Sequence, residues 1–67
     1  MRNDVEVLRQ ARNWSQETLA KSVGVSRQTI NAIEAGRFNP SLPLALRLAR
    51  LFQKPVEAMF FDGHPGK

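Results

Sequence analysis

Cysteine is absent from the 67 residues, which excludes a disulfide framework and a thiolate metal site. Histidine occurs once, as His64 near the end of the chain, with nothing around it to share a metal or a proton. The six Asp and Glu residues are scattered along the sequence rather than gathered. No acid, base or nucleophile is grouped as a catalytic site requires, so no enzyme, metal or cofactor is expected. No segment approaches the roughly 18 apolar residues of a membrane span, and the N-terminus lacks the apolar run of a signal peptide. A cytoplasmic location is the expectation. Strand-like alternation, internal repeats and low-complexity tracts are missing too. The closing GHPGK lacks the preceding strand, glycine spacing and following helix of a phosphate-binding loop.

What is present suits one small domain. Hydrophobic residues make up 42% of the chain, including one Trp and four Phe, enough for a core but a marginal one at this length. A second copy of the chain would add burial. The net charge of +4 fits a polyanionic partner.

The most informative stretch is SQETLAKSVGVSRQTINAIEAG, residues 15–36. Ser15 and Ser26 each stand where a hydroxyl can accept a free N–H of a helix's first turn. Leu19, Val23, Val25, Ile30 and Ile33 are spaced so that two helices crossing steeply can share a core, and Ala20 lets them approach. Gly24 at the corner can take a positive φ without a Cβ clash. Arg27, Gln28, Thr29 and Asn31 remain on the outer side of the second helix. This pattern reads as a helix-turn-helix spanning about residues 16–35, a device that places its second helix in the DNA major groove.

Around it, Asn3 and Glu6 have the spacing of a capping box opening a helix from about Asp4 to Arg12, with Val5 and Leu8 inward and Val7 outward. Gly36 follows the third helix where a left-handed residue commonly ends one. Pro40 stops helical geometry at Asn39, and Ser41 caps a fourth helix with Pro43 in its first turn. Leu42, Ala45, Leu48, Ala49 and Phe52 form the expected core stripe of that helix, with Leu44 and Leu51 off it. A short fifth helix is predicted from Pro55 through Phe60, followed by a frayed tail, residues 62–67. The expectation is an all-α, compact five-helix bundle over residues 1–61.

The pieces LRQAR, WSQETLAKSVGVSRQTINAIEAG, NPSL, LRLARLF and VEAMF together resemble the Cro and phage-repressor type of helix-turn-helix domain, the XRE family, from Leu8 to Phe60. The resemblance implies a lambda-repressor-like fold that binds operator DNA, usually as a two-fold dimer. It also implies that Gln16 bonds a DNA phosphate and that Arg37 and Asn39 lie in a loop along the backbone. Arg9 and Glu34 match a structural ion pair between the first and third helices.

Chemistry narrows the remaining roles. Arg27 can donate twice to guanine O6 and N7, and Gln28 can pair with adenine N6 and N7. Asn31 reaches a base, and Thr29 is assigned to the backbone. Leu44, Leu51, Phe60 and Phe61, with Met59, are taken as apolar surface for a homodimer. The expected function is a sequence-specific regulator of transcription on double-stranded DNA, most simply a repressor. A chain this short leaves no room for an effector or small-molecule sensor domain. The alternative is an antitoxin that binds both a toxin protein and its own promoter.

Overall fold

The computed structural model describes residues 1–61; the tail assigned to residues 62–67, with His64, lies outside the described residues. Three serines start helices. Ser15 Oγ accepts from the Thr18 N–H at 3.0 Å, Ser26 Oγ from Thr29 at 3.1 Å, and Ser41 Oγ from Leu44 at 3.3 Å. Such caps each stabilise a helix start by about 1 kcal/mol. The helices are α1 (Val5–Ala11), α2 (Gln16–Val23), α3 (Arg27–Glu34) and α4 (Leu42–Phe52).

Between α2 and α3 the chain turns through Gly24, at φ 77°. A Cβ built there would meet Arg47 Nη1 at 3.7 Å, an ordinary contact. Gly24→Ala is therefore expected to cost about 1 kcal/mol through backbone strain rather than collision. Thermal unfolding checks this: a drop of about 4–8 °C is expected for a domain of this size. An unchanged midpoint would show that the turn has a different conformation.

Four helices are present among the described residues, not five. The segment predicted as a fifth helix forms only a 3-10 turn, Val56–Ala58. Beyond it Phe60–Phe61 becomes a short strand, β2, paired antiparallel with β1 (Arg2–Asn3) in the register Arg2 opposite Phe61 and Asn3 opposite Phe60. Pairing holds the chain extended just where another helical turn would be needed. Two-residue strands leave no periodicity to read in a sequence.

The same pairing dissolves the capping box. Asn3 Oδ1 accepts from the Val5 N–H at 3.0 Å, and its Nδ2 donates to the Ile33 carbonyl at 2.8 Å. Glu6 instead takes a bond from Gln10 on the exposed side. Asn3 thus fastens β1 and the start of α1 to the end of α3.

Val5, Leu19, Ala20, Val23, Ile30, Ile33, Leu44, Ala45, Leu48, Phe52 and Met59 make the core. Two assignments change places on α4. Leu44 is 4% exposed and belongs to the core, whereas Leu42 is 68% exposed and does not. A helical side chain leans toward the N-terminal end of its helix. At the first helical position, Leu42 leans over the preceding loop, lining a groove with Asn39 and Pro40. Met59 is likewise fully buried, so neither Leu44 nor Met59 can supply dimer surface. Trp14 closes the core edge. Its ring centroid is 5.9 Å from that of Phe52, and the Arg12 guanidinium covers both rings at 5.5 and 5.0 Å.

Leu48 has no exposure at all. Leu48→Ala is expected to destabilise by about 2–5 kcal/mol, the sum of lost burial and a residual cavity. Denaturant unfolding would read this as a lower midpoint at unchanged slope.

Candidate nucleic-acid interface

Helix α3 sorts its residues by side. Ile30 and Ile33 are buried, Glu34 turns inward, and Arg27, Gln28 and Asn31 face solvent. Arg27 and Asn31 are four apart and so stack one turn above the other on one face, with Gln28 beside Arg27. The first turn of α3 carries no acidic residue. Among the described residues the ion pairs within 4 Å are Arg9–Glu6, Arg9–Glu34 and Lys21–Glu17. Arg27 and Arg37 are in none of them. The outward face of α3 is therefore cationic, with amide groups that can donate and accept.

Glu34 organises the base of this face. Arg9 Nε donates to Glu34 Oε2 at 2.8 Å and Arg9 Nη2 to Oε1 at 3.3 Å, a two-pronged contact. Arg9 Nη1 also donates to the Trp14 carbonyl at 2.7 Å. Gln16 Nε2 completes the group by donating to Glu34 Oε1 at 2.9 Å. One carboxylate thus joins α1, α2 and α3. The Arg9 pKa is raised, first by the hydrogen bond to Glu34; burial opposes this, and the charges of Glu34 and Glu6 add to it. The guanidinium stays charged wherever the domain folds.

The other sequence-assigned residues fall in distinct places. Gln16 is half-buried, and one of its amide N–H groups is committed to Glu34. Its remaining N–H and its backbone N–H at the start of α2 are left for an anion. Thr29 is half-buried, and its Oγ1 lies 3.0 Å from Ser26 Oγ. That hydroxyl belongs to the cap of α3 as much as to its outer face. Arg37 does not stand alone in the loop: its Nη2 donates to Asn31 Oδ1 at 3.3 Å. Asn39 is exposed but lies apart from α3, on the rim of an apolar groove of about 450 Å³ with Pro40, Leu42, Val56 and Phe60.

Two of these links were not readable from spacing. Glu34 as the acceptor for Gln16 needs α2 and α3 placed first. The Asn31–Arg37 contact depends on how the chain leaves α3. Among the described residues no cluster of His, Cys, Asp and Glu could hold a metal ion, and no helix is long and apolar enough to cross a membrane.

Two short helices at a steep corner, with the second exposing a cationic face, define a helix-turn-helix protein. The helix-turn-helix family model matches residues 5–58, and the chain belongs to that family, of the Cro and phage-repressor (XRE) type. It is 48% identical over 60 residues to the uncharacterized HTH-type transcriptional regulator MJ0272 of Methanocaldococcus jannaschii, covering 90% of this chain and 91% of the relative. Against the uncharacterized HTH-type regulator YgzD of Bacillus subtilis it is 46% identical over 61 residues, covering 91% and 92%. Among solved structures it is similar to the restriction-modification controller protein C.AhdI from Aeromonas hydrophila. The TM-score is 0.74 at 36% identity, covering 84% of this chain and 85% of that one.

Proposed function

We propose that this chain is a sequence-specific regulator of transcription that acts as a repressor on double-stranded DNA, with α3 in the major groove. The observation that carries the reading is the composition of the α3 face. Arg27 and Gln28 stand free at its N-terminal end, and its one carboxylate, Glu34, is turned inward and held by Arg9. Arg27 and Gln28 read base edges; Gln16, Thr29 and Asn39 serve the sugar–phosphate backbone, Gln16 by its free N–H groups. The similarity to named HTH-type regulators and to a controller protein supports the regulatory role. Selection of bound duplexes from a random pool tests it. A recurrent sequence at modest salt is expected, and binding with no preference would remove the sequence-specific reading. Co-purification of a second protein would instead favour the antitoxin reading.

The operator complex is a homodimer built through the C-terminal half. Leu51, Phe60 and Phe61 are each only half-buried in one chain, and Leu42 and Leu46 of α4 are exposed. An isologous dimer would bury such surface and set two α3 helices about 34 Å apart, one DNA turn. Analytical ultracentrifugation with and without operator DNA measures this. Monomer alone at high micromolar concentration, in both conditions, would rule the dimer out.

A further inference from the structure

The end of α3 carries a second reading element. Gly36, at φ 78°, closes the helix with a pair of backbone bonds: Gly36 N–H to the Ile33 carbonyl and Arg37 N–H to the Ala32 carbonyl, each 3.0 Å. This is the Schellman arrangement, which reverses the chain directly after a helix. Arg37 is thereby held by its own backbone rather than carried on a free loop. Its side chain runs back along α3, where Nη2 donates to Asn31 Oδ1 at 3.3 Å. No carboxylate among the described residues competes for it within 4 Å.

That contact changes what Asn31 can recognise. A free asparagine pairs with adenine by accepting from N6–H through its carbonyl and donating to N7 through its amide. Here one of the two lone pairs of that carbonyl is taken by the Arg37 guanidinium. What the pair presents outward is mainly donors: the Asn31 amide and the remaining N–H groups of Arg37, against one lone pair left on the Asn31 carbonyl. In the major groove guanine offers two acceptors, O6 and N7. Adenine and cytosine each present an amino donor that would meet another donor, and thymine offers one acceptor beside a methyl group. We propose that Asn31 and Arg37 act as one donor-rich unit that selects guanine, one helical turn along α3 from the Arg27–Gln28 end. The inference rests on α3 occupying the major groove, and it replaces the backbone role that the family resemblance implies for Arg37.

The test is selection from a random duplex pool with the intact chain, Arg37→Ala, Asn31→Ala and the double variant. The unvaried protein is expected to require guanine at one position per half-site, with about fivefold to 150-fold discrimination against other bases there. In Arg37→Ala the freed carbonyl should move that position toward adenine while the rest of the site is unchanged. In Asn31→Ala the guanine preference should fall toward parity, and the double variant should lose no more than that. Circular dichroism melting of each exposed-site variant checks that the fold is kept. A uniform loss of affinity with an unchanged recognition sequence in Arg37→Ala would overturn the proposal and return Arg37 to the backbone. An adenine requirement in the unvaried protein, or independent effects of the two single variants, would overturn it as well. Recovery of no preferred sequence by the unvaried protein would instead remove the DNA reading on which the pair depends.

Discussion

Glu34→Ala is expected to destabilise the domain by about 3–5 kcal/mol, because it strands a charge with little access to water. The Arg9 side chain is 11% exposed and that of Glu34 4% exposed, so water screens this pair less than it would one on the surface. Total stability of small domains is about 5–15 kcal/mol, and one removed carboxylate would take a large share of it. Three donors lose their acceptor together: Arg9 Nε, Arg9 Nη2 and Gln16 Nε2. Arg9→Ala should cost a comparable amount, since it leaves Glu34 inward-facing with only Gln16 as partner. Replacing both, with Arg9→Met and Glu34→Met, removes both charges and should cost less than either single change. Urea denaturation of the four proteins measures this. If the double variant lost the sum of the two singles, the residues would act independently and would not form a coupled network. Buried ion pairs often contribute little net stability while being costly to break, which is why the comparison with the double variant decides the matter.

The second large effect belongs to the N-terminal end of α3. Gln28→Ala should lower affinity for the operator by about 1–3 kcal/mol per site and leave non-specific binding nearly unchanged, since it removes a base-edge contact and no charge. Arg27→Ala should weaken operator binding comparably. It should also reduce non-specific affinity and lower the salt slope by up to about one counterion, because a cation is lost from the interface. Both residues are exposed and make no side-chain hydrogen bond to the rest of the described chain, so folding should be undisturbed. Titration of operator and random duplexes at several salt concentrations gives both quantities. Equal proportional losses on the two duplexes for Gln28→Ala would make α3 a backbone anchor and withdraw its base-reading role.

These two experiments probe different layers of one arrangement. Glu34 fixes α3 against α1 and α2 from beneath, and Arg27 and Gln28 use the face that is left outward. The inward turn of Glu34 also keeps a negative charge off the outward face of α3. A substitution at Glu34 or Arg9 should therefore weaken DNA binding only through loss of the fold or misplacement of Gln16, whereas Gln28→Ala should do so at full stability. Measuring stability and affinity on the same variants separates the two.

Local signals in the chain were sufficient for the starts of α2, α3 and α4 and for the corners at Gly24 and Gly36. Ser15, Ser26 and Ser41 cap backbone N–H groups three residues ahead of them, and Gly24 and Gly36 take the positive φ that a Cβ would penalise. Those interactions close within a few residues, so no knowledge of the rest of the fold is needed. The apolar spacing of α2 and α3 was equally sufficient to place Leu19, Val23, Ile30 and Ile33 in the core. Tertiary structure alone decided the remainder. Asn3 bonds a carbonyl 30 residues away instead of boxing with Glu6, and β1 draws Phe60 out of a fifth helix. Leu42 and Leu44 exchange sides because the depth of the α4 contact, not its period, sets which first-turn residue is covered. At the candidate interface, residue types and their face were legible in the sequence, but their partners were not. Gln16 meets Glu34 and Arg37 meets Asn31 only after helices are packed and the chain has reversed past Gly36, and hydrogen bonds between distant groups leave no periodic mark in a sequence.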